Sequence, residues 1–200
     1  SSIVVDSAGN THVSYYNISS TSLMYAKYNN SWAIEEVDNT GTSGVYTSIV
    51  IDDQDMPHIS YQSEAKLKYA KYNGSGWELT TIDDESTYLA YETSIELDTN
   101  YNPHIAYRVQ NYTGSTYEYH VKYAHYNGTN WTTEDVKTSD RSNWNSYSST
   151  GRDVSIALNS TNTVFITYYD DYWDDLYIAN KTGNNWTTSK IADNKLRQSW

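Results

Sequence analysis

The chain has 200 residues and a formal net charge of −12, without the clustered basic surface that a nucleic-acid partner needs. It contains no cysteine, which excludes disulfides and thiolate metal sites, and no apolar run long enough for a membrane span. Its 22 tyrosines and 7 tryptophans, against one phenylalanine, favour bulky side chains that keep a polar tip, as on solvated sheet surfaces.

One sequence motif occurs four times and predicts the β-strands in chain order. It reads "LMYAKYNNSW" at 23–32, "LKYAKYNGSGW" at 67–77, "VKYAHYNGTNW" at 121–131 and "LYIANKTGNNW" at 176–186. Each copy alternates like a β-strand, breaks at a turn and resumes on tryptophan. The second unit shows all four of its predicted strands, at 48–52, 57–62, 67–73 and 77–83.

Four short strands in a unit of this size are typical of a β-propeller blade. We therefore predict an all-β single domain over residues 1–200, with four-stranded antiparallel blades at 2–47, 48–93, 94–154 and 155–200. Two alternatives stay open at this point. The four blades close into a ring by themselves, or they belong to a larger array.

Several positions recur in every unit and are explained by packing. Small alanine beside large tyrosine and tryptophan suits stacked sheets, where large side chains must meet small ones. The alanines are Ala26, Ala70, Ala124 and Ala179, and the tryptophans are Trp32, Trp77, Trp131 and Trp186. We interpret the tryptophans as wedges between blades rather than as sugar platforms.

Three histidines, His12, His58 and His104, share one position, which the fourth unit fills with Phe165. Packed sheets lie about 10 Å apart, whereas zinc holds nitrogen ligands at about 2.0–2.1 Å. The repeat therefore keeps these histidines too far apart for a shared metal ion. We predict a packing role for them and no metal site.

The acids of the first hairpins are predicted to bond the backbone of their own turns. Calcium is the alternative at one of these turns, where Asp52, Asp53 and Asp55 crowd together and offer the oxygen ligands that calcium prefers. No other cofactor is predicted.

Asparagine sequons exceed the number expected by chance and make surface glycosylation a prediction. The alternative is that Asn-Gly-Ser/Thr turns create sequons without modification. The nine candidates are Asn17, Asn29, Asn73, Asn111, Asn127, Asn130, Asn159, Asn180 and Asn185.

The pattern "SIxxDxxxxPHISY…LKYAxYNGxxW" resembles the repeats of extracellular β-propeller proteins on prokaryotic cell surfaces, archaeal and bacterial, and more distantly the sialidase-type propellers. The resemblance implies a propeller fold and an extracellular or cell-surface location. Sialidase chemistry in that family rests on an arginine cluster, whereas this chain has four arginines, and only Arg141 and Arg152 lie close together in one loop. An enzyme is therefore not expected.

The repeat is interrupted at 109–120 and 138–153 in the third unit and at 170–175 in the fourth, all on one face of a propeller. Long aromatic loops on a rigid scaffold are where function is commonly carried. We predict ligand or partner contacts there from six aromatic residues: Tyr112, Tyr117, Trp144, Tyr147, Tyr172 and Trp173.

From these observations the leading hypothesis is a non-enzymatic structural or adhesive module of a surface layer, stalk or filament. Its expected partners are copies of itself or other surface proteins. The alternative is a carbohydrate-binding propeller that uses the loops of blades 3 and 4 to bind glycans.

Overall fold

A computed structural model of the chain describes residues 1–84, 88–112, 117–138, 150–170 and 175–193. These residues form sixteen strands in four antiparallel sheets, and each sheet is built from four consecutive strands. The predicted all-β fold with four four-stranded propeller blades is confirmed. Within the described ranges, no helix is long and apolar enough to cross a membrane.

The strands of blades 1 and 2 are β1 (Ser2–Val5), β2 (Thr11–Asn17), β3 (Ser22–Asn29), β4 (Ser31–Asp38), β5 (Ser43–Ile51), β6 (Pro57–Ser63), β7 (Lys66–Tyr72) and β8 (Trp77–Asp83). Those of blades 3 and 4 are β9 (Tyr88–Leu97), β10 (Pro103–Tyr112), β11 (Tyr117–Tyr126), β12 (Trp131–Thr138), β13 (Thr150–Leu158), β14 (Val164–Asp170), β15 (Asp175–Thr182) and β16 (Asn185–Asp193).

The hydrophobic core consists of three layers, each between two successive blades. In the first layer, Leu23 and Tyr25 of blade 1 pack against Ile49, Ile59 and Tyr61 of blade 2. Equivalent residues fill the layers between blades 2 and 3 and between blades 3 and 4. Alternate residues of a strand point to opposite faces, so blades 2 and 3 each contribute one side to each of two layers, whereas blades 1 and 4 each contribute to one.

In blades 2 to 4, the recurring tryptophan packs edge-on against a tyrosine of the preceding blade. This tyrosine is the residue directly before the recurring alanine in the sequence. The ring centroids lie 5.1 Å apart for Trp77 and Tyr25, 5.2 Å for Trp131 and Tyr69, and 5.4 Å for Trp186 and Tyr123. This is the T-shaped geometry that aromatic pairs favour. At these three positions the tryptophan acts as a wedge between blades.

The first strand of blade 2 begins earlier than the sequence pattern suggests, at Ser43 rather than at residue 48. Register shifts between Ser43 and Ser48 interrupt the alternation there, and Gly44 adopts a φ of +99°. A Cβ at Gly44 would lie 2.6 Å from the Cα of Leu23, so only glycine fits. Because the bulges break the period of two, alternation in the sequence could not reveal this segment.

Candidate functional site

Three blades place a turn aspartate, a histidine and a tyrosine in one buried triad, and in blades 1 and 2 hydrogen bonds link all three side chains. In blade 2, Nε2 of His58 lies 3.4 Å from Oδ2 of Asp52, and the Tyr69 hydroxyl lies 2.6 Å from Nδ1 of His58. Blade 1 repeats it with Asp6, His12 and Tyr25. In blade 3, Tyr123 bonds Nδ1 of His104, but Nε2 of His104 lies 3.7 Å from Asp98, beyond hydrogen-bond distance. Blade 4 has Asn159, Phe165 and Ile178 at these positions, so the whole set is replaced together.

In blade 2, the protonation of the Asp52–His58–Tyr69 triad favours a structural role. Burial lowers the pKa of His58 to about 4, so its neutral ring accepts the tyrosine O–H at Nδ1 and donates Nε2–H to Asp52. Burial also raises the pKa of Tyr69 well above its ordinary value. A general base works best with a pKa near the working pH, so the triad fixes the blade rather than supplying a base.

The same aspartates also hold the first-hairpin turns. Oδ1 of Asp52 accepts backbone N–H groups from Gln54 at 3.0 Å and Met56 at 2.9 Å, and the other three blades repeat this pattern. Asp55 binds the backbone N–H and hydroxyl of Ser7 in blade 1. Of the calcium candidates, Asp52 is therefore engaged in its own turn and Asp55 in a contact with blade 1, and the described residues contain no metal-binding group of three or more His, Cys, Asp or Glu.

A groove opens between blades 2 and 3 at the end of the sheets where these turns lie. It has a volume of about 480 Å³, within the range of small-molecule sites. Its walls are the turns after β5 and β9 and the outer ends of β7, β8, β11 and β12. We call it the blade 2–3 groove, lined among others by Asp52, Asp53, Lys71, Glu78, Tyr101 and Trp131.

Tyr101 is the distinctive residue of this groove. Its backbone has a φ of +62°, and the equivalent turn positions in the other blades hold Gly9, Asp55 and Asn162, residue types that adopt this conformation at low cost. A tyrosine there costs about 1–2 kcal/mol. The Tyr101 residue is nevertheless 42% exposed. Partial desolvation of its hydroxyl, together with the Asp53 carboxylate to which the hydroxyl donates, raises the pKa of Tyr101.

The groove combines aromatic rings with acidic and amide groups. Trp131 lies against Tyr126 with ring centroids 5.7 Å apart, and Glu78 accepts a hydrogen bond of 2.6 Å from the amide of Asn73. Apart from the neutral His58, Lys71 is the one basic side chain among the described residues that line it. Corresponding grooves between blades 1 and 2 and between blades 3 and 4 are smaller, at about 300 and 320 Å³, and have no tyrosine at the turn.

Two of the six predicted contact residues, Tyr112 and Tyr117, lie at the opposite end of the sheets. Tyr112, at the end of β10, is 50% exposed and in register with Tyr117, the first residue of β11. Trp144, Tyr147, Tyr172 and Trp173 lie outside the described residues. Nothing in the described part of the chain tests whether these six residues form one site.

A cluster of tyrosines around Arg108, which the sequence pattern did not reveal, lies in blade 3. Arg108 is buried in the layer between blades 3 and 4, with its guanidinium carbon 4.7 Å from the ring centre of Tyr119 and 5.4 Å from that of Tyr91. Its Nε donates to the carbonyl of Thr150. The spacing of tyrosines around Arg108 on neighbouring strands was the available signal, but it requires the strand register to be known.

The sequons differ in exposure. Asn17, Asn111 and Asn180 are half-buried. The other six are exposed: Asn29, Asn73, Asn127, Asn130, Asn159 and Asn185. Their glycosylation stays a prediction.

Solved structures with a similar fold include a polysaccharide lyase and an endo-arabinase. The chain is similar to an ulvan lyase of polysaccharide lyase family PL25, with a TM-score of 0.66 and 12% identity over 95% of this chain and 57% of the lyase. A structure of ulvan lyase bound to -[GlcA(1-4)Rha3S]- gives a TM-score of 0.63 and 12% identity, over 93% of this chain and 56% of that one. An endo-arabinase from Bacteroides thetaiotaomicron gives 0.53 at 10% identity, over 96% of this chain and 80% of the enzyme.

The chain thus spans less than two thirds of the length of the ulvan lyases that it matches. No protein-family model and no curated protein matches it. The propeller likeness is therefore supported, whereas the resemblance to prokaryotic surface repeat proteins has no family match behind it. At 10–12% identity, the property shared with the enzymes is the fold.

These comparisons correct two expectations from the sequence. A non-enzymatic structural or adhesive module was the leading hypothesis, and it is wrong, because the proteins that share the fold are named for the processing of carbohydrate. The expectation that the chain is not an enzyme is contradicted by the same finding. The repeat misled the interpretation because it reports on packing, whereas function is carried by individual side chains. The carbohydrate-binding alternative agrees better with these neighbours.

Proposed function

We propose that the protein is a carbohydrate-active propeller that binds a neutral polysaccharide in the blade 2–3 groove. The observation that carries the proposal is Tyr101, a half-exposed ring held over a groove by a strained backbone conformation that the other blades give to Gly, Asp or Asn. Strain of this kind persists where the surrounding structure enforces it and is enriched at ligand sites.

The chemistry of the groove suits a sugar. A pyranose or furanose ring presents apolar C–H groups on its faces, which pack on planar aromatic rings such as Tyr101 and Trp131. Its hydroxyls project from the edge, where each both donates and accepts hydrogen bonds. Asp53, Glu78 and Asn100 offer acceptors, Asn100 and Lys71 offer donors, and all of them line the groove.

Charge supports a neutral ligand over an acidic one. Asp52, Asp53 and Glu78 line the groove against one basic residue, Lys71, and the whole chain has a net charge of −12. A uronate or sulfate group would enter a region of negative potential and lose affinity as a result. An arabinan-like ligand therefore fits better than a sulfated one.

Cleavage of the bound polysaccharide is a second candidate function. It is supported by the names of the similar structures, which are a lyase and an endo-arabinase. For both candidate functions we also propose an extracellular location and glycans on the exposed sequons, since polysaccharides of this kind occur outside the cell.

Calorimetric titration with linear arabino-oligosaccharides and with ulvan oligosaccharides tests the proposal. We expect binding of the neutral ligand and at least about tenfold weaker binding of the anionic one. Tyr101→Asn should abolish binding, whereas Tyr46→Asn should not, because Tyr46 has the same residue type, similar exposure (44%) and a φ of +52° but lies outside the groove. Formation of new reducing ends or unsaturated products, measured in parallel, separates cleavage from binding.

Two outcomes would contradict the groove. If neither polysaccharide binds the parent protein, the proposed function is wrong. If Tyr101→Asn binds normally and Tyr112→Ala does not, carbohydrate is bound at the opposite end of the sheets, where the sequence pattern predicted it.

A further inference from the structure

Among the residues that the structure describes, no sheet packs over one face of blade 1, whereas the preceding blade covers the same face of blades 2 to 4. Ile49, Ile95 and Ile156, at the recurring first-strand position, are 5 to 7% exposed, because the preceding blade packs over them. Ile3 holds this position in blade 1 and is 66% exposed.

The rest of this face is apolar and uncovered as well. Val5 is 56% exposed, Trp32 54% and Ile34 59%. Trp32 contacts Tyr28 of its own sheet, at 5.1 Å between ring centroids, where the other three tryptophans contact a tyrosine of the preceding blade. We call this surface the outer face of blade 1. Contiguous exposed apolar patches of this kind mark interaction sites.

The opposite end of the chain offers a complementary surface. On the outward side of blade 4, Phe165, Leu176 and Ile178 are half-buried and Ile191 is 52% exposed. These residues occupy the positions that, in blades 1 to 3, pack against the next blade. Extensive contacts join blades 1 and 2, 2 and 3, and 3 and 4, but none of comparable extent joins blade 4 to blade 1 in the described residues.

We propose that a second copy of the chain covers the outer face of blade 1 with its own blade 4. The described residues contain both halves of one packing arrangement, and no blade among them covers either half. Blade 4 also has the residues suited to this contact, because Ile178 and Phe165 replace a tyrosine and histidine that elsewhere serve the triad. An aliphatic and an aromatic side chain are apolar partners for Trp32.

The contact is heterologous, because blade 1 of one copy meets blade 4 of the other. When two copies form this contact in both directions, the outer face of blade 1 and the outward side of blade 4 are buried in both chains. This gives a closed dimer. Each copy has a net charge of −12, so mutual repulsion opposes association and salt should strengthen it by screening. The interface lies outside the blade 2–3 groove and does not depend on the carbohydrate proposal.

Sedimentation velocity and light scattering over an about hundredfold range of concentration, at low and high salt, test the interface. We expect a species of twice 22.9 kDa that is favoured by salt. Trp32→Ala combined with Ile3→Ser should weaken association at least about tenfold without changing circular dichroism, since both side chains are exposed. Leu79→Ser, at the position of Ile34 but in blade 2 and 41% exposed, is the matched control and should leave the dimer intact.

Ile178→Ser on the other half of the interface should weaken association to a similar degree. A parent protein that stays monomeric at all concentrations and salt levels would overturn the proposal. So would a dimer that Trp32→Ala with Ile3→Ser leaves unchanged, because another surface would then hold the copies together. Species that keep growing beyond the dimer with concentration would contradict closure.

Discussion

The hydroxyl of Tyr61 in blade 2 donates a hydrogen bond of 2.7 Å to Oδ2 of Asp38, the last residue of the last strand of blade 1. The Lys68 ammonium, also in blade 2, lies 2.5 Å from the same oxygen. Tyr107, Lys122 and Asp83 repeat this arrangement between blades 2 and 3. A buried carboxylate thus joins each of these blades to the next through two side chains.

Removing the cation from this contact should destabilise the protein. Lys68→Met leaves the fully buried Asp38 carboxylate without its counter-charge, and we expect a loss of about 2–4 kcal/mol in the free energy of unfolding. Lys27→Met is the matched control, because Lys27 pairs with Asp6 but is 36% exposed, and should cost less than about 1 kcal/mol. Urea unfolding measures both. Equal losses in the two variants would contradict the assigned role of Asp38.

Stability should fall in acid through Asp38. Burial works to raise the pKa of this carboxyl, but Lys68, Thr40 and Tyr61 outweigh it and hold the pKa at about 2. A folded-state pKa below the unfolded value of about 3.8 adds stability above that pH, and this stability is lost as the pH falls towards 2. The loss should be about 2 kcal/mol, measured by urea unfolding at several pH values, and Asp38→Asn should remove it.

The buried histidines should lower the free energy of unfolding over a higher pH range than Asp38 does. Burial lowers the pKa of both His58 and His104 to about 4 from 6.5. Between these values the unfolded chain binds more protons than the folded one, so stability decreases as the pH falls from 6.5 to 4. We expect a loss of a few kcal/mol over this interval. His58→Phe should reduce the slope, and an unchanged slope would show that His58 is not the titrating group.

The triad should behave as a unit. His58→Phe alone leaves the buried Tyr69 hydroxyl without its acceptor, at a cost of about 1–3 kcal/mol. Adding Tyr69→Ile and Asp52→Asn recreates the set found in blade 4, Asn159, Phe165 and Ile178, and should recover part of that loss. The non-additivity, measured by thermal and urea unfolding, gives the coupling between the three residues. Strict additivity would mean that the three residues act independently.

Replacing Tyr101 should raise the stability of the protein and lower its affinity for carbohydrate. Tyr101→Asn places a residue type suited to the left-handed backbone at this turn, as Asn162 does in blade 4, and should raise the free energy of unfolding by about 0.5–1 kcal/mol. The same variant should lose carbohydrate affinity. A variant that is less stable than the parent would indicate that the Tyr101 contact with Asp53 outweighs the backbone strain.

The sequence by itself determined the fold, because a propeller blade is a local unit and its signals are local. The spacing of Ile49, Ala70 and Trp77 within one unit fixes which side chains share a face, and the fourfold recurrence fixes the stacking. The turn role of the first-hairpin aspartates was likewise predictable, since Asp52 holds its turn through backbone N–H groups two and four residues away. Bulged strand segments such as 43–48 were not predicted, because a bulge interrupts the alternation of side chains on which the prediction of strands rests.

The tertiary structure alone decided which recurring residues touch across blades and where space remains between them. Asp38 and Tyr61 are 23 residues apart, and no pattern within one unit links them. Tyr101 looks ordinary in the sequence, and its strained backbone and its position over a groove appear only when blades 2 and 3 are packed together. The exposure of Ile3 and Trp32 is of the same kind, because identical positions are buried or open according to whether another sheet lies against them.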